Sequence, residues 1–210
     1  AKVKDFGPGT LTVESKPSTA TVGDAGNAVV KVTYPDGSSD TVNVPVKVRD
    51  VTGPTITANG ATVTKNEPIT AIPVTVADNQ GGRGLRQENP VQVTGLPEGL
   101  TYADGEITGT PTAPKGNYNV TITAYDKDGN PTTETITIKV QEQTDKYNPT
   151  GEELTVDQNH VLTDAEITAK VKDFGPGTLT VESKPSTATV GDAGNAVVKV
   201  TYPDGSSDTV

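Results

Sequence analysis

Four oxygen-bearing side chains stand where a hard cation could use them. The run Asp126-Lys127-Asp128-Gly129-Asn130 alternates Asp, Asp and Asn across a tight turn, and Asp78, followed by Asn79, closes another strand-like run that could approach it. Calcium takes six to eight oxygen ligands. Asp78, Asp126, Asp128 and Asn130 supply three or four of these locally, with no bidentate glutamate at a fixed distance. Asp-Gly is equally the ordinary chemistry of a hairpin turn. Two readings therefore stand side by side, a calcium site and a plain turn.

Other chemistry is sparse. His160 is the only histidine and lies in the polar stretch Asp157-Gln158-Asn159-His160. A catalytic base needs a nucleophile and an orienting partner converging on it, and every serine falls in a stretch that the chain carries twice. The expectation is an exposed, idle histidine and no enzyme. Gly81-Gly82-Arg83-Gly84 lacks the glycine spacing and the strand–loop–helix setting of a phosphate loop. It reads as part of Asp78–Pro90, the longest irregular stretch, which has no aromatic residue to stack on a sugar or anchor an interface. Cysteine is absent, so neither a disulfide nor a thiolate site exists.

The elements that must position these residues are strands. Ala28–Tyr34 and Asp40–Val48 alternate around Pro35-Asp36-Gly37, a hairpin signal, with Val42, Val44, Val46 and Val48 on one face. Pro45 donates no ladder hydrogen bond and belongs on an edge or at a non-bonded site. Arg49–Pro54 reads as a linker. Eight further strands follow: Thr55–Ala58, Ala61–Lys65, Ile69–Ala77, Val91–Thr94, Leu100–Tyr102, Glu106–Thr108, Asn119–Tyr125 and Thr133–Val140. In the last two, Val120, Ile122 and Ala124 share a face, as do Ile136, Ile138 and Val140. Eight short strands over so brief a stretch predict a β-sandwich. Gln141–Thr144 reads as a second linker. Thr163-Asp164-Ala165-Glu166 is a capping-box pattern, predicting a short helix from Asp164 to about Asp173 with Gly175 as its stop.

The order of these parts is set by a repeat. Residues 1–42 recur without change as residues 169–210, an offset of 168. A working catalytic part is rarely carried twice, whereas repetitive arrays do this routinely. The expected domains are 1–50, 51–143 and 144–210, the outer two being partial copies of one unit. Residues 145–210 continued by 43–50 make that unit whole. The last copy should leave a sheet edge unpaired, a template for strand exchange.

Composition agrees with thin β modules. Hydrophobic residues make up 31 % and aromatics 4 %, so no module has a large core. Threonine is the commonest residue and valine the main apolar one, both stiff β-branched side chains. Gly (22) and Pro (16) stay below the roughly 25–30 % that marks low-complexity disorder. A formal net charge of −10 repels nucleic-acid phosphates and anionic lipid heads, so neither nucleic acid nor membrane is an expected partner.

Two family resemblances follow from particular motifs. Val32-Thr-Tyr-Pro-Asp-Gly-Ser38 with Asp40-Thr-Val-Asn-Val-Pro-Val-Lys-Val48, repeated from Val200, resembles the Rib/alpha-like repeat over residues 1–50 and 145–210. Val93-Thr-Gly-Leu-Pro-Glu-Gly-Leu-Thr-Tyr102, Gly105-Glu-Ile-Thr-Gly-Thr-Pro111 and Gly116–Asp126 are similar to the Ig-like or cadherin-like domains of bacterial adhesins, over 51–143. The resemblance implies an all-β fold of tandem Ig-like sandwiches in an extended array. It implies a Gram-positive cell-wall-anchored surface protein outside the cell, with no catalytic residue to carry over. The expected function is a stalk that projects a distal binding domain, each module about 35–40 Å long from strands of roughly ten residues rising ~3.3 Å each. The alternative is a ligand-binding or self-associating adhesive module, with or without calcium. Expected partners are neighbouring repeats of the same chain, a host surface, or like arrays on other cells.

Overall fold

A computed structural model describes residues 2–210. The first three strands are β1 (Thr10–Ser15), β2 (Gly23–Thr33) and β3 (Ser39–Val48), in sheet order β1-β2-β3. The alternating valines of β3 are half-buried while their neighbours are exposed. Pro45 stands opposite Asn27 on this edge strand, where its missing N–H breaks no ladder. The Pro-Asp-Gly turn closes through Tyr34 N donating to Ser38 O and Gly37 N to Tyr34 O.

The middle stretch carries eight strands. They are β4 (Thr55–Ala58), β5 (Ala61–Thr64), β6 (Ile72–Ala77), β7 (Val91–Thr94), β8 (Leu100–Ala103), β9 (Glu106–Gly109), β10 (Gly116–Tyr125) and β11 (Pro131–Gln141). Two four-stranded sheets result, β5-β11-β10-β7 and β4-β6-β9-β8. The expected faces are the buried ones. Val120, Ile122, Ala124, Ile138 and Val140 are fully buried and Ile136 nearly so, opposed in kind by Ile72, Val74, Leu100 and Ile107 from the other sheet. One ladder is parallel. It is β5 beside β11, Ala61–Thr64 against Ile138–Gln141, which local sequence could not announce because parallel partners are never joined by a short turn.

The last stretch begins with the one-turn helix α1 (Gln143–Lys146), which starts within Gln141–Thr144, a linker as read from sequence. Next come β12 (Thr150–Gly151), α2 (Asp164–Thr168), β13 (Val171–Lys172), β14 (Thr178–Ser183), β15 (Val197–Thr201) and β16 (Ser207–Thr209). The capping box of α2 is present. Thr163 Oγ1 accepts from Glu166 N (3.3 Å), and Glu166 Oε2 accepts from Thr163 N (2.9 Å). The helix ends at Thr168 rather than near Asp173, a correction with a clear cause. Val171 pairs with Gly151 and enters the core with Ile167 and Val198, so tertiary pairing overrides local helix propensity. No helix among the described residues is long and apolar enough to cross a membrane.

Contacts divide the chain into two compact units. One comprises the chain up to Thr57 with Thr75–Thr94 and Thr121–Thr135; the other comprises Ala58–Val74, Gly95–Val120 and Ile136–Val210. Each of the two sites below lies inside a single unit.

Candidate functional site

In the first unit, three loops converge on a cluster of carboxylates. Asp50 follows β3, Asp78 follows β6 and Asp126 follows β10, and their ligand atoms lie within 4.8 Å of one another. Asp50 is 7 % exposed and Asp126 1 %. The structure thus brings together two of the four residues singled out from sequence, Asp78 and Asp126, and adds Asp50. An acidic residue in a short linker carries no signal of its own, so only the fold could find it.

The other two do different work. Asp128 turns outward and pairs with Arg83 at 3.2 Å, an exposed ion pair. Asn130 serves Asp126 as a donor: its N reaches Oδ1 at 2.7 Å and its Nδ2 reaches Oδ2 at 2.6 Å. Burial pushes the Asp126 carboxyl up, but the bonds from Asn130 and the turn amides outweigh it and hold the group below its ordinary value. Asp50 Oδ1 accepts from Thr52 N at 3.0 Å, and Asp78 Oδ2 accepts from Gly84 N at 2.6 Å.

The glycine loop is therefore a wrap around this cluster, not a phosphate cradle. A Cβ on Gly82 would collide with the Asp78 carboxylate and come within 2.7 Å of Asp50 Oδ2, so only glycine lets the backbone pass so close. The loop is also tied down beyond it. Arg86 donates to the carbonyls of Glu88 and Asn89 and lies over the Tyr125 ring at 4.4 Å.

Asn79 decides what the cluster can do. One end of its side-chain amide sits 3.1 Å from Thr52 O, 2.9 Å from Asp78 Oδ1 and 3.2 Å from Asp50 Oδ2. Three acceptors require a donor or a cation there. With nitrogen at that end, two N–H donors are shared among the three acceptors, and the amide itself holds the cluster together. With oxygen there, Asn79, Thr52 and the carboxylates form a set of hard oxygen ligands of the kind calcium takes.

A second site, in the other unit, is built on Gln143 at the start of α1, which is 1 % exposed. Its N donates to Asp204 Oδ2 (2.7 Å), its Oε1 accepts from Asp204 N (3.1 Å) and its Nε2 donates to Glu67 Oε1 (3.2 Å). Tyr147 donates to the same Glu67 oxygen at 3.0 Å, and Lys146 pairs with its other oxygen. Lys65 and Asn66 donate to the carbonyls of Asp204 and Pro203. Tyr147 and Tyr202 stack with centroids 5.8 Å apart. Every polar group of the buried glutamine is matched. Burial pushes the Glu67 carboxyl up, yet Lys146, Gln143 and Tyr147 together hold it below its usual range. Burial and the bond to Asp208 push the Tyr202 phenol up to about 12. Sequence reasoning passed over this site because Gln141–Thr144 reads as a linker and a buried glutamine has no periodic signature.

His160 is not idle. Its Nε2 lies 2.9 Å from Glu166 Oε1, beside the cap of α2. The pair braces the entry to α2.

Comparison with known proteins agrees with these parts. The family described as Rib domain matches residues 4–50 and 143–210, and the family described as Putative Ig domain matches residues 51–141. The chain is similar to the C protein alpha-antigen of Streptococcus agalactiae serotype Ia, 35 % identical over 224 residues, covering 100 % of this chain and 20 % of that protein. It thus spans about a fifth of the length of that relative. Among solved structures it is similar to the SrpA adhesin from Streptococcus sanguinis, with TM-score 0.54, 25 % identity, and coverage of 79 % of this chain and 94 % of that one.

Proposed function

Because this chain belongs to the Rib domain family, with an Ig domain between its two Rib segments, we propose that it is a structural spacer. It would work in the repeat region of a streptococcal cell-wall-anchored surface adhesin, holding a distal binding domain away from the wall. The observation that carries this reading is the joint around Gln143. It links the end of the Ig segment to the Tyr202-Pro-Asp-Gly-Ser206 turn of the second Rib segment through a fully matched buried network rather than a loose tether. A network of this kind resists bending, because opening it exchanges several mutually reinforcing bonds for bonds to water at once. The turn is part of the repeated 42-residue stretch, so each such repeat brings its own half of a joint. Repeat number would then set reach without altering any fold.

The convergence of Asp50, Asp78, Asp126 and Asn79 favours a second reading, a calcium-dependent adhesive module. One experiment separates the two. The chain is screened against host glycans and matrix proteins, in calcium and in chelator, with calorimetric titration of calcium alongside. The spacer reading expects no saturable signal in either condition. A saturable signal that needs calcium and disappears in Asp50→Asn replaces it with the adhesive reading.

A further inference from the structure

We infer that Asn59-Gly60 is a self-modification site, where the folded chain converts an asparagine to isoaspartate without an enzyme and so loosens strand β5. It is the only Asn-Gly pair in the chain. It lies exposed between β4 and β5, outside both strands.

Packing dictates the glycine. A Cβ on Gly60 would collide with the Thr137 carbonyl oxygen, so only glycine lets the chain pass β11 as β5 comes alongside it. Nothing comparable dictates the asparagine. Asn66, Asn89 and Asn159 take positive φ, which asparagine tolerates better than most residues. Asn79 and Asn130 donate to neighbouring carboxylates, and Asn119 accepts from Thr137. Asn59 does not take positive φ, it is exposed, and no hydrogen bond engages its side chain among the described residues. An amide with no part in the fold thus stands before a glycine that the fold requires.

That order is what the chemistry needs. Without a Cβ beside it, the Gly60 nitrogen is open to the Asn59 side chain, and no hydrogen bond engages its N–H among the described residues. Once deprotonated, this nitrogen attacks Asn59 Cγ. The N–Cγ bond forms, the Cγ–Nδ2 bond breaks, and the amide nitrogen leaves as ammonia after taking up a proton. The five-membered succinimide is favoured because attacking and attacked atoms belong to one short stretch of chain. Water then opens the ring. Attack at Cγ gives aspartate, and attack at the main-chain carbonyl gives isoaspartate, through whose side chain the backbone now runs. No reactant besides water is consumed.

The position gives the change its consequence. Either product adds a negative charge, and isoaspartate also lengthens the main chain by one methylene just before β5. Strand β5 is an edge of the sheet β5-β11-β10-β7, held on one side only, by the ladder of Ala61–Thr64 to β11. Lys65 and Glu67, which follow it directly, bond to Asp204 and Gln143 in the joint. The strand that isoaspartate displaces is therefore the one on which that half of the joint is mounted.

The test is to hold the folded chain in mildly alkaline buffer and map its peptides by mass spectrometry, with fragmentation that separates isoaspartate from aspartate. A gain of about 1 Da is expected at Asn59 and at no other asparagine, with isoaspartate in excess of aspartate. Its rate should rise about tenfold per pH unit, as the deprotonated fraction of a weakly acidic amide does. Asn59→Gln, at an exposed and unbonded position, should fold alike and stay unmodified. The modified fraction, separated by charge, should exchange amide hydrogens faster at Ala61–Thr64 than the unmodified one. An Asn59 that stays intact in the folded chain while it reacts in urea overturns the inference, because the fold then keeps nitrogen and carbonyl apart. Aspartate without isoaspartate overturns the succinimide route, and equal exchange in the two fractions overturns the loosening of β5.

Discussion

Glu166 shows how one side chain can hold a local structure together. It accepts from the Thr163 hydroxyl at 2.7 Å and the Thr163 amide at 2.9 Å, and its other oxygen faces His160. Those bonds, the hydroxyl first, hold its carboxyl down to about 2 from an ordinary 4.5. A carboxyl lowered on folding stabilises the folded state fully above its unfolded value, and that contribution is lost as pH falls through the folded value. The cap of α2 should therefore persist at neutral pH and come apart between about 4.5 and about 2. Following the Glu166 carboxyl carbon by NMR should give a midpoint near the lower end; a midpoint near 4.5 contradicts the cap as drawn. The cap itself was legible from Thr163 and Glu166, because a capping box is written in four consecutive residues. The carboxylate cluster was only half legible. Asp78 and Asp126 end strands and invited notice, but nothing local ties Asp50 to either, since its neighbours are made by chain reversal and not by spacing.

At the scale of elements, the repeated stretch separates what sequence determines from what surroundings determine. Strands β1 and β2 pair in the same register as β14 and β15, down to the same irregularity at Val13/Ser15 and Val181/Ser183. The Tyr-Pro-Asp-Gly turn also closes identically in both copies. The surroundings differ. Gly7 and Gly175 both have positive φ (55 and 50), but a Cβ on Gly7 meets nothing within 4 Å, whereas one on Gly175 meets the Tyr147 ring. Gly7→Ala should cost only the backbone strain, about 1 kcal/mol. Gly175→Ala adds a clash that displaces Tyr147 from Glu67 and Tyr202, and should lose about 2–3 kcal/mol in all. Urea unfolding of the two variants measures the difference; equal losses would mean that the joint does not hold Tyr147 in place. Period-2 alternation made β2, β3, β10 and β11 readable, because a strand with one buried face advertises it. The Thr-Leu-Thr-Val-Glu-Ser run of β1 and β14 alternates over too few apolar positions to stand out, and only in β14 are its Leu and Val half-buried. The two-residue β12 and β13 are too short to show a face at all. The extent of α2 was misjudged because the pairing of Val171 with Gly151 is invisible locally.

For the whole molecule, the account rests on distance being what the repeat supplies. A chain with few aromatics, no cysteine and valine-faced strands can build many small cores but no large one, so added sequence adds modules and does not thicken one. Neither the acidic cluster nor the Gln143 joint alters that. The first wraps a loop tightly and the second fastens an Ig segment to a Rib segment. All-β class and the Rib and Ig resemblances were readable from motifs, whereas the joint needed the structure, since it joins residues 67, 143 and 204. Small-angle scattering from monomeric chains with one, two and three of the 168-residue periods tests the claim most directly. The account predicts that the maximum dimension grows by a constant increment with each period while the cross-sectional radius stays fixed. A dimension that grows only as the cube root of chain length, with a widening cross-section, would contradict it.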